Sequence, residues 1–313
     1  MFSWILLAEQ KTAHTASDTL HAVADTSANA GAVHGGEENI FTTLLHHVYD
    51  SGYLELPFYH NPDPTKHGIA LPQFDLFGID MSITKHVFFL WLAAVILVVT
   101  LSYIARKNLK NKVPRGLGNL IEVFVVFVRD EIVIPNMGKG GVKYLPYLLT
   151  NFFFILVMNL LGLIPYGASA TGNISVTAGL AIIAFLMIQI SAIRAQGLGH
   201  YLAHLTGGVH WALWPIMIPI EVLGLFTKPF ALCIRLFANM TGGHIVILAL
   251  IGLIFIFKTF MVAPVSVAFA LGIYMLELFV SFLQAYIFTM LTSLFMGLGM
   301  QTESHGGEHS HGH

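Results

Sequence analysis

The chain has 313 residues, 56% of them hydrophobic and only 10% charged, with a mean hydropathy of +0.73. An ordinary soluble domain carries about 25% charged residues, so this composition excludes a soluble enzyme, and it also excludes a disordered chain, which needs low hydrophobicity and high charge. A net charge of −2 supplies no basic field for nucleic acid, and the lone Cys233 excludes a disulfide framework or a thiolate metal cluster.

The first 80 residues read as a polar segment apart from the rest. Up to Lys85 there are three Lys/Arg against ten Asp/Glu. The opening MFSWILLA is apolar but has no basic region before it and is short for a signal peptide. Residues 9–39, rich in Ala, Thr, Ser, His and Gly, read as flexible. Residues 40–80 hold aromatics and prolines suited to packing against a membrane face.

From residue 81 to 300 the chain reads as a membrane domain, followed by a His-rich tail, 301–313, which has the chemistry to bind stray metal ions but reads as an exposed tail where such binding is incidental. Five apolar stretches reach the roughly 20 residues needed to cross about 30 Å of hydrocarbon. They run near 86–105, 145–165, 174–193, 213–257 and 261–299. A sixth run, 120–128, is too short. Its Asn119, Glu122, Arg129 and Asp130 recur at helical spacing, which predicts an amphipathic helix lying in the interface. The GlyLysGlyGly at 138–141 lacks the preceding strand and following Ser/Thr of a phosphate loop. The fold class expected is therefore an all-α polytopic membrane protein with five spans and one interfacial helix. No internal repeat is visible.

Arg106, Lys107, Lys110, Lys112 and Arg115 follow the first span, and Lys139 and Lys143 precede the second, whereas loop 165–173 has no basic residue. The positive-inside bias puts the acidic N-terminal segment outside and, after five spans, the C-terminus in the cytoplasm. The last two stretches are too long for a perpendicular crossing: as single helices they would reach roughly 67 and 58 Å at 1.5 Å per residue. Strong tilt or bends at Pro215, Pro219, Pro229 and Pro264 are expected, with an antiparallel turn near 258–263.

Between Tyr144 and Met300 there are six charged residues: Arg194, Glu221, Lys228, Arg235, Lys258 and Glu277. An ionisable group inside a membrane helix is costly and marks function. Glu221, Lys228 and Arg235 are spaced by seven and share a face, and Asn239 sits one turn on from Arg235. Glu277 and Gln284 are likewise seven apart. In an antiparallel hairpin, residues at one depth share a midpoint, and both His244 with Glu277 and Arg235 with Gln284 centre at about residue 260. Arg235 cannot pass a proton on, because arginine stays protonated. Glu221, His244 and Glu277 can titrate. This set predicts proton translocation past an electrostatic gate. Lys228 has a second reading, snorkelling near an interface, Asn239 a second one as a tie between helices, and His244 with Glu277 a structural pair. His200, His204 and His210 flank a cytoplasmic loop and read as solvated rather than metal-binding. No cofactor and no metal site is expected.

The run LysProPheAlaLeuCysIleArgLeuPheAlaAsnMetThrGlyGlyHis (228–244) resembles the signature of subunit a of F-type ATP synthases. LeuGlnAlaTyrIlePheThrMetLeu (283–291) and MetAsnLeuLeuGlyLeuIlePro (158–165) are similar to two further segments of that family. The resemblance covers about residues 80 to 300. It implies a stator subunit without nucleotide chemistry of its own, with Arg235 facing the carboxylate of a rotating c-ring between two offset half-channels. It implies Glu221 on the cytoplasmic path, His244 and Glu277 on the opposite one, and Gln284 and Asn239 as polar neighbours of the arginine. Asn173 matches a polar residue at the start of a helix, and Gly162 falls where some members are acidic. The implied partners are c-ring subunits, peripheral-stalk subunit b, other synthase subunits and membrane lipids, in a bacterial inner membrane. A self-contained proton- or cation-coupled transporter is the alternative, for which repeated half-molecules would be the sign.

Overall fold

The computed structural model describes residues 53–54, 69–70, 75–76, 79–80, 84–110, 116–164, 167, 169–199, 201, 214–257 and 262–301, all within one unit, His47–His313. The readings of residues 1–52, of loop histidines 200, 204 and 210, of the turn at 258–261 and of the tail beyond 301 lie outside these residues. Two short antiparallel pairs precede the helices: β1 (Tyr53–Leu54) with β2 (Ile69–Ala70), and β3 (Asp75–Leu76) with β4 (Ile79–Asp80).

Most of the described residues after them are helical. Helix α1 (Lys85–Lys110) turns Leu90, Ala93 and Leu97, one helical face, toward the core and leaves Trp91, Val95, Val98 and Val99 exposed. So much apolar exposure is ordinary for a helix bathed in lipid and forbidding in water. Helix α2 (Leu117–Phe127) starts at Gly116, whose φ of 64° favours glycine. It packs Ile121, Phe124 and Val125 inward and exposes Leu117, Leu120, Val123 and Val126 beside Asn119 and Glu122. The element expected at 120–128 is thus present and longer. It runs on through a π-helical turn (Val128–Val133), α3 (Ile134–Met137) and a 3-10 turn (Lys139–Tyr144).

The remaining helices are α4 (Leu145–Gly162), α5 (Ile174–Gln196), α6 (Trp214–Phe257) and α7 (Val262–Gln301). Five segments of the described residues are long and apolar enough to cross a membrane: Lys85–Asn108, Lys139–Gly162, Ile174–Gln196, Trp214–Ile254 and Ala263–Met300. The expected all-α polytopic fold is the one observed. Helix α6 stays helical through Pro219 and Pro229. Its 44 residues and the 40 of α7 correspond to roughly 66 and 60 Å at 1.5 Å per residue, twice the hydrocarbon thickness.

Helix α7 is the hub, touching α3, α4, α5, α6 and the π-turn. Its buried face is made of small and polar residues, Ser281, Gln284, Ala285, Thr289, Thr292 and Ser293, with Phe288 and Met296. Small side chains let helices approach closely in lipid, where no hydrophobic drive favours their association. The hydroxyls of Ser281, Thr289 and Thr292 donate to carbonyls four residues back at 2.8 Å, so they enter the core already satisfied. The Ile132 carbonyl, in the π-turn, accepts from Asn136 Nδ2 at 2.8 Å and from Ser293 Oγ at 3.3 Å. Phe124, Phe152, Phe153 and Phe282 fill the middle of the core with ring centroids 5.4 to 6.2 Å apart.

Candidate functional site: the polar seam between α6 and α7

The two long helices carry most of the chain's mid-span polar residues along one seam. Glu277 is 4% exposed on α7, with Oε1 3.9 Å from His244 Nε2 of α6. Gly243 makes room for it: a Cβ there would sit 2.6 Å from Glu277 Oε1. Neither Glu277 oxygen nor His244 Nε2 has a hydrogen-bond partner among the described residues. One turn deeper, Asn239 Nδ2 donates to Gln284 Oε1 at 2.8 Å. Gln284 therefore takes its bond from Asn239, a turn beyond the Arg235 that shares its midpoint.

A third element closes the seam. Asn159 of α4, 2% exposed, donates from Nδ2 to the Ser281 carbonyl at 3.3 Å. Its Oδ1 accepts from Thr171 Oγ1 at 2.7 Å, and Thr171 in turn pairs with Ser169 at 2.8 Å. Gly162, which ends α4, allows this approach, because a side chain there would collide with Ser169 and with Met240 of α6. A cavity of about 10 Å³ lies among Asn159, Leu236, Asn239, Met240, Glu277, Val280, Ser281 and Gln284. That is about the size of one water molecule, in polar surroundings.

Arg235 is different. Its neighbour Leu236 is fully buried, but Arg235 is exposed and has no hydrogen bond or ion pair among the described residues. The seam thus buries Glu277, Ser281, Gln284 and Asn159, while Arg235 and Asn239 lie on the exposed side of α6. Toward the N-terminal half of α6, Lys228 is half-buried with Nζ 5.1 Å from the centre of the Phe295 ring. Glu221 is half-buried near Tyr201, whose phenol is pushed up by burial and then by the Glu221 carboxylate. The Tyr201 hydroxyl donates to Gln189 Oε1 of α5. Asn173 caps α5, its Oδ1 accepting from the Ser175 N–H at 2.9 Å. Among the described residues no three His, Cys, Asp or Glu side chains converge as a metal site.

Sequence reading singled out the charged members of the seam but not Asn159, Thr171 or Ser281, nor Tyr201 and Gln189. The amide in MetAsnLeuLeuGly was the available signal, since a lone Asn in an apolar span must find a partner. Lys85 and His86 were also passed over, though both are buried at the start of α1.

Fold and seam together define a class: an all-α polytopic membrane protein whose ionisable residues gather between its last two, overlong helices. The profile of the ATP synthase A chain family matches residues 87–297. ATP synthase subunit a of Chloroherpeton thalassium is 55% identical over 273 residues, 86% of this chain and 79% of that one. The subunit of Chlorobium phaeobacteroides is 52% identical over 308 residues, 97% and 87% of the two chains. That of Myxococcus xanthus is 54% identical over 254 residues, 80% and 84%. The chain belongs to the ATP synthase A chain family. It is accordingly an integral protein of a bacterial membrane, a membrane-sector subunit serving proton transport and ATP synthesis rather than a catalytic subunit.

Proposed function

We propose that this chain is the proton-translocating stator of its synthase, with Arg235 set against the carboxylates of a rotating c-ring. One observation carries the reading: Arg235 is exposed at mid-helix in an apolar span and has no anion beside it among the described residues. Such a cation in lipid costs about 2.5–3.5 kcal/mol even on the lenient insertion scale. A carboxylate on another subunit, passing along the outer face of α6, removes that cost. The chain's own carboxylate on the seam, Glu277, is buried a good way along the hairpin beside His244.

The two titratable groupings then fall on either side of the cation. His244 and Glu277, continued by Asn239, Gln284 and Asn159, form the path from outside. Glu221 with Tyr201 and Lys228 forms the path to the cytoplasm. A protonated ring carboxyl that reaches Arg235 is driven to ionise, because the guanidinium favours its charged form. The proton leaves by the Glu221 side. After passing, the carboxylate takes a proton delivered from the His244–Glu277 side and enters lipid neutral. Arg235 itself moves no proton; it keeps protons from crossing directly between the two paths. The basic loop after α1 supports an outside N-terminus and a cytoplasmic C-terminus. The remaining partners are the peripheral-stalk subunit b, other synthase subunits and lipid, and nucleotide binding is left to the catalytic sector.

Cysteine crosslinking tests the contact. Ala231→Cys and Ala238→Cys, flanking Arg235 on the exposed side of α6, are expected to form disulfides with cysteines placed near the ring carboxylate. Val98→Cys, exposed on α1, is expected to form none. Purification without any ring of small subunits, or equal crosslinking at all three positions, would favour the self-contained transporter instead.

A further inference from the structure

A cavity of about 360 Å³ lies between the last third of α1 and the opening of α2, and it shares no residue with the seam. Its volume is in the range of small-molecule sites, roughly 300–1,000 Å³. The lining changes character along α1. Val99 and Thr100 line one end, Tyr103 and Ile104 follow a turn later, and Lys107 and Asn108 come a turn after that. Leu117, at the start of α2, stands on the facing wall. Val99 and Lys107 are separated by roughly 12 Å along the helix axis at 1.5 Å per residue, and the apolar span Lys85–Asn108 ends at this level. The cleft therefore runs from hydrocarbon to the membrane–water boundary, with its cation at the boundary.

The apolar wall has little cover: Val99, Tyr103 and Leu117 are 61%, 65% and 70% exposed. Lys107 is exposed as well, with Nζ 5.9 Å from the centre of the Tyr103 ring, and no carboxylate pairs with it among the described residues. No Asp or Glu lines the cleft, and Glu122, the acidic residue of α2, is a turn beyond Gly118. The sequence adds to the positive field, since Arg106, Lys107, Lys110, Lys112 and Arg115 all fall in the stretch 106–115. Basic clusters where a span leaves the membrane, and basic pockets between helices at that level, recruit anionic lipid headgroups. A helix from another subunit could cover the apolar wall, but only an anionic amphiphile also answers the cation at one end. A phospholipid carries both parts in this order.

We propose that this cleft seats one anionic glycerophospholipid, its phosphate on the Lys107 ammonium and the Asn108 amide, its glycerol backbone beside Tyr103, and an acyl chain along Val99, Thr100 and Leu117. An ammonium–phosphate contact is a charge-assisted hydrogen bond, the strong kind. Seated there, the lipid bridges α1 and α2 and neutralises part of the basic stretch that joins them. The site depends on α1 crossing the bilayer and not on the role of Arg235.

The test uses the whole synthase complex in phosphatidylcholine vesicles with a trace of phosphatidylglycerol that carries a photoreactive diazirine in its acyl chain. A parallel sample carries the same chain on phosphatidylcholine, and labelled residues are located by peptide mass spectrometry. In the wild type the phosphatidylglycerol probe is expected to label residues 99–104 and 117–120 at least about fivefold more than the neutral probe, the factor that one basic residue contributes. Unlabelled phosphatidylglycerol is expected to compete, and inorganic phosphate is not. Lys107→Gln is expected to bring the ratio near one, and Lys107→Arg to keep it. Thr100→Trp, which fills the apolar part and leaves the charge, is expected to abolish the preference at Leu117. Equal labelling by both probes in the wild type would make the cleft ordinary boundary-lipid surface and overturn the proposal. An unchanged ratio in Lys107→Gln or in Thr100→Trp would overturn it too, by placing the headgroup or the chain elsewhere. So would competition by inorganic phosphate, or an absence of labelling by either probe, which would mean that another subunit covers the cleft. Should the Lys107→Gln complex not assemble, the wild-type ratio and its competition decide alone.

Discussion

A single methyl group at position 243 separates two arrangements of the outer pair. The Glu277 carboxylate lies where a Cβ on residue 243 would stand, 2.6 Å from Oε1. Gly243→Ala is therefore expected to push the carboxylate away from His244 and slow proton-driven synthesis, while α6, already helical on both sides, keeps its fold. Proton flux through reconstituted complexes checks this, and unchanged flux would remove the outer pair from the path. Individual charges of this kind were legible in the sequence, because Arg235, Glu277 and His244 stand alone in apolar runs. Their neutral neighbours were not. Asn159 and Ser281 are 122 positions apart, and no local pattern announces that an amide on α4 will meet a carbonyl on α7. Nor did the shared midpoint settle the partner of Gln284. It constrains depth to about a turn, and Asn239 rather than Arg235 reaches across.

At the scale of elements, the close approach of α7 to the segment after α2 fixes the bundle. Gly297 of α7 sits against the Asn136 backbone carbonyl, with no room for a Cβ. That obstacle is backbone and cannot swing aside. Gly297→Ala is expected to destabilise the subunit by about 1–3 kcal/mol, read as a lower thermal midpoint of the detergent-solubilised complex; an unchanged midpoint would mean that the two segments separate without penalty. The spans themselves were plain from apolar length, and the overlong last two from the distance between their loops. The π-turn was not, since ValArgAspGluIleVal reads as ordinary amphipathic helix. Its register shift buries Val128, Ile132 and Val133 and leaves the Arg129–Asp130 pair, 2.7 Å apart, at the surface. Pro219 and Pro229 lie inside α6 without ending it. Proline removes one backbone donor but does not end a helix whose length is imposed by packing along α7.

For the whole molecule, the consequence of these contacts is a division between inside and outside. Glu277, Gln284 and Asn159 are buried where α4, α6 and α7 meet, while the fixed cation of Arg235 is exposed on α6. The central claim is that Arg235 couples passing ring carboxylates to rotation and separates two proton paths without carrying protons itself. Its most direct test is the Arg235→Ala complex, reconstituted and assayed for both proton-driven ATP synthesis and passive proton permeability. The account predicts an assembled complex with synthesis abolished and passive leak equal to or above wild type, poorly rescued by lysine, which keeps the charge but loses the planar donor fork. Normal synthesis by an assembled Arg235→Ala complex would contradict it.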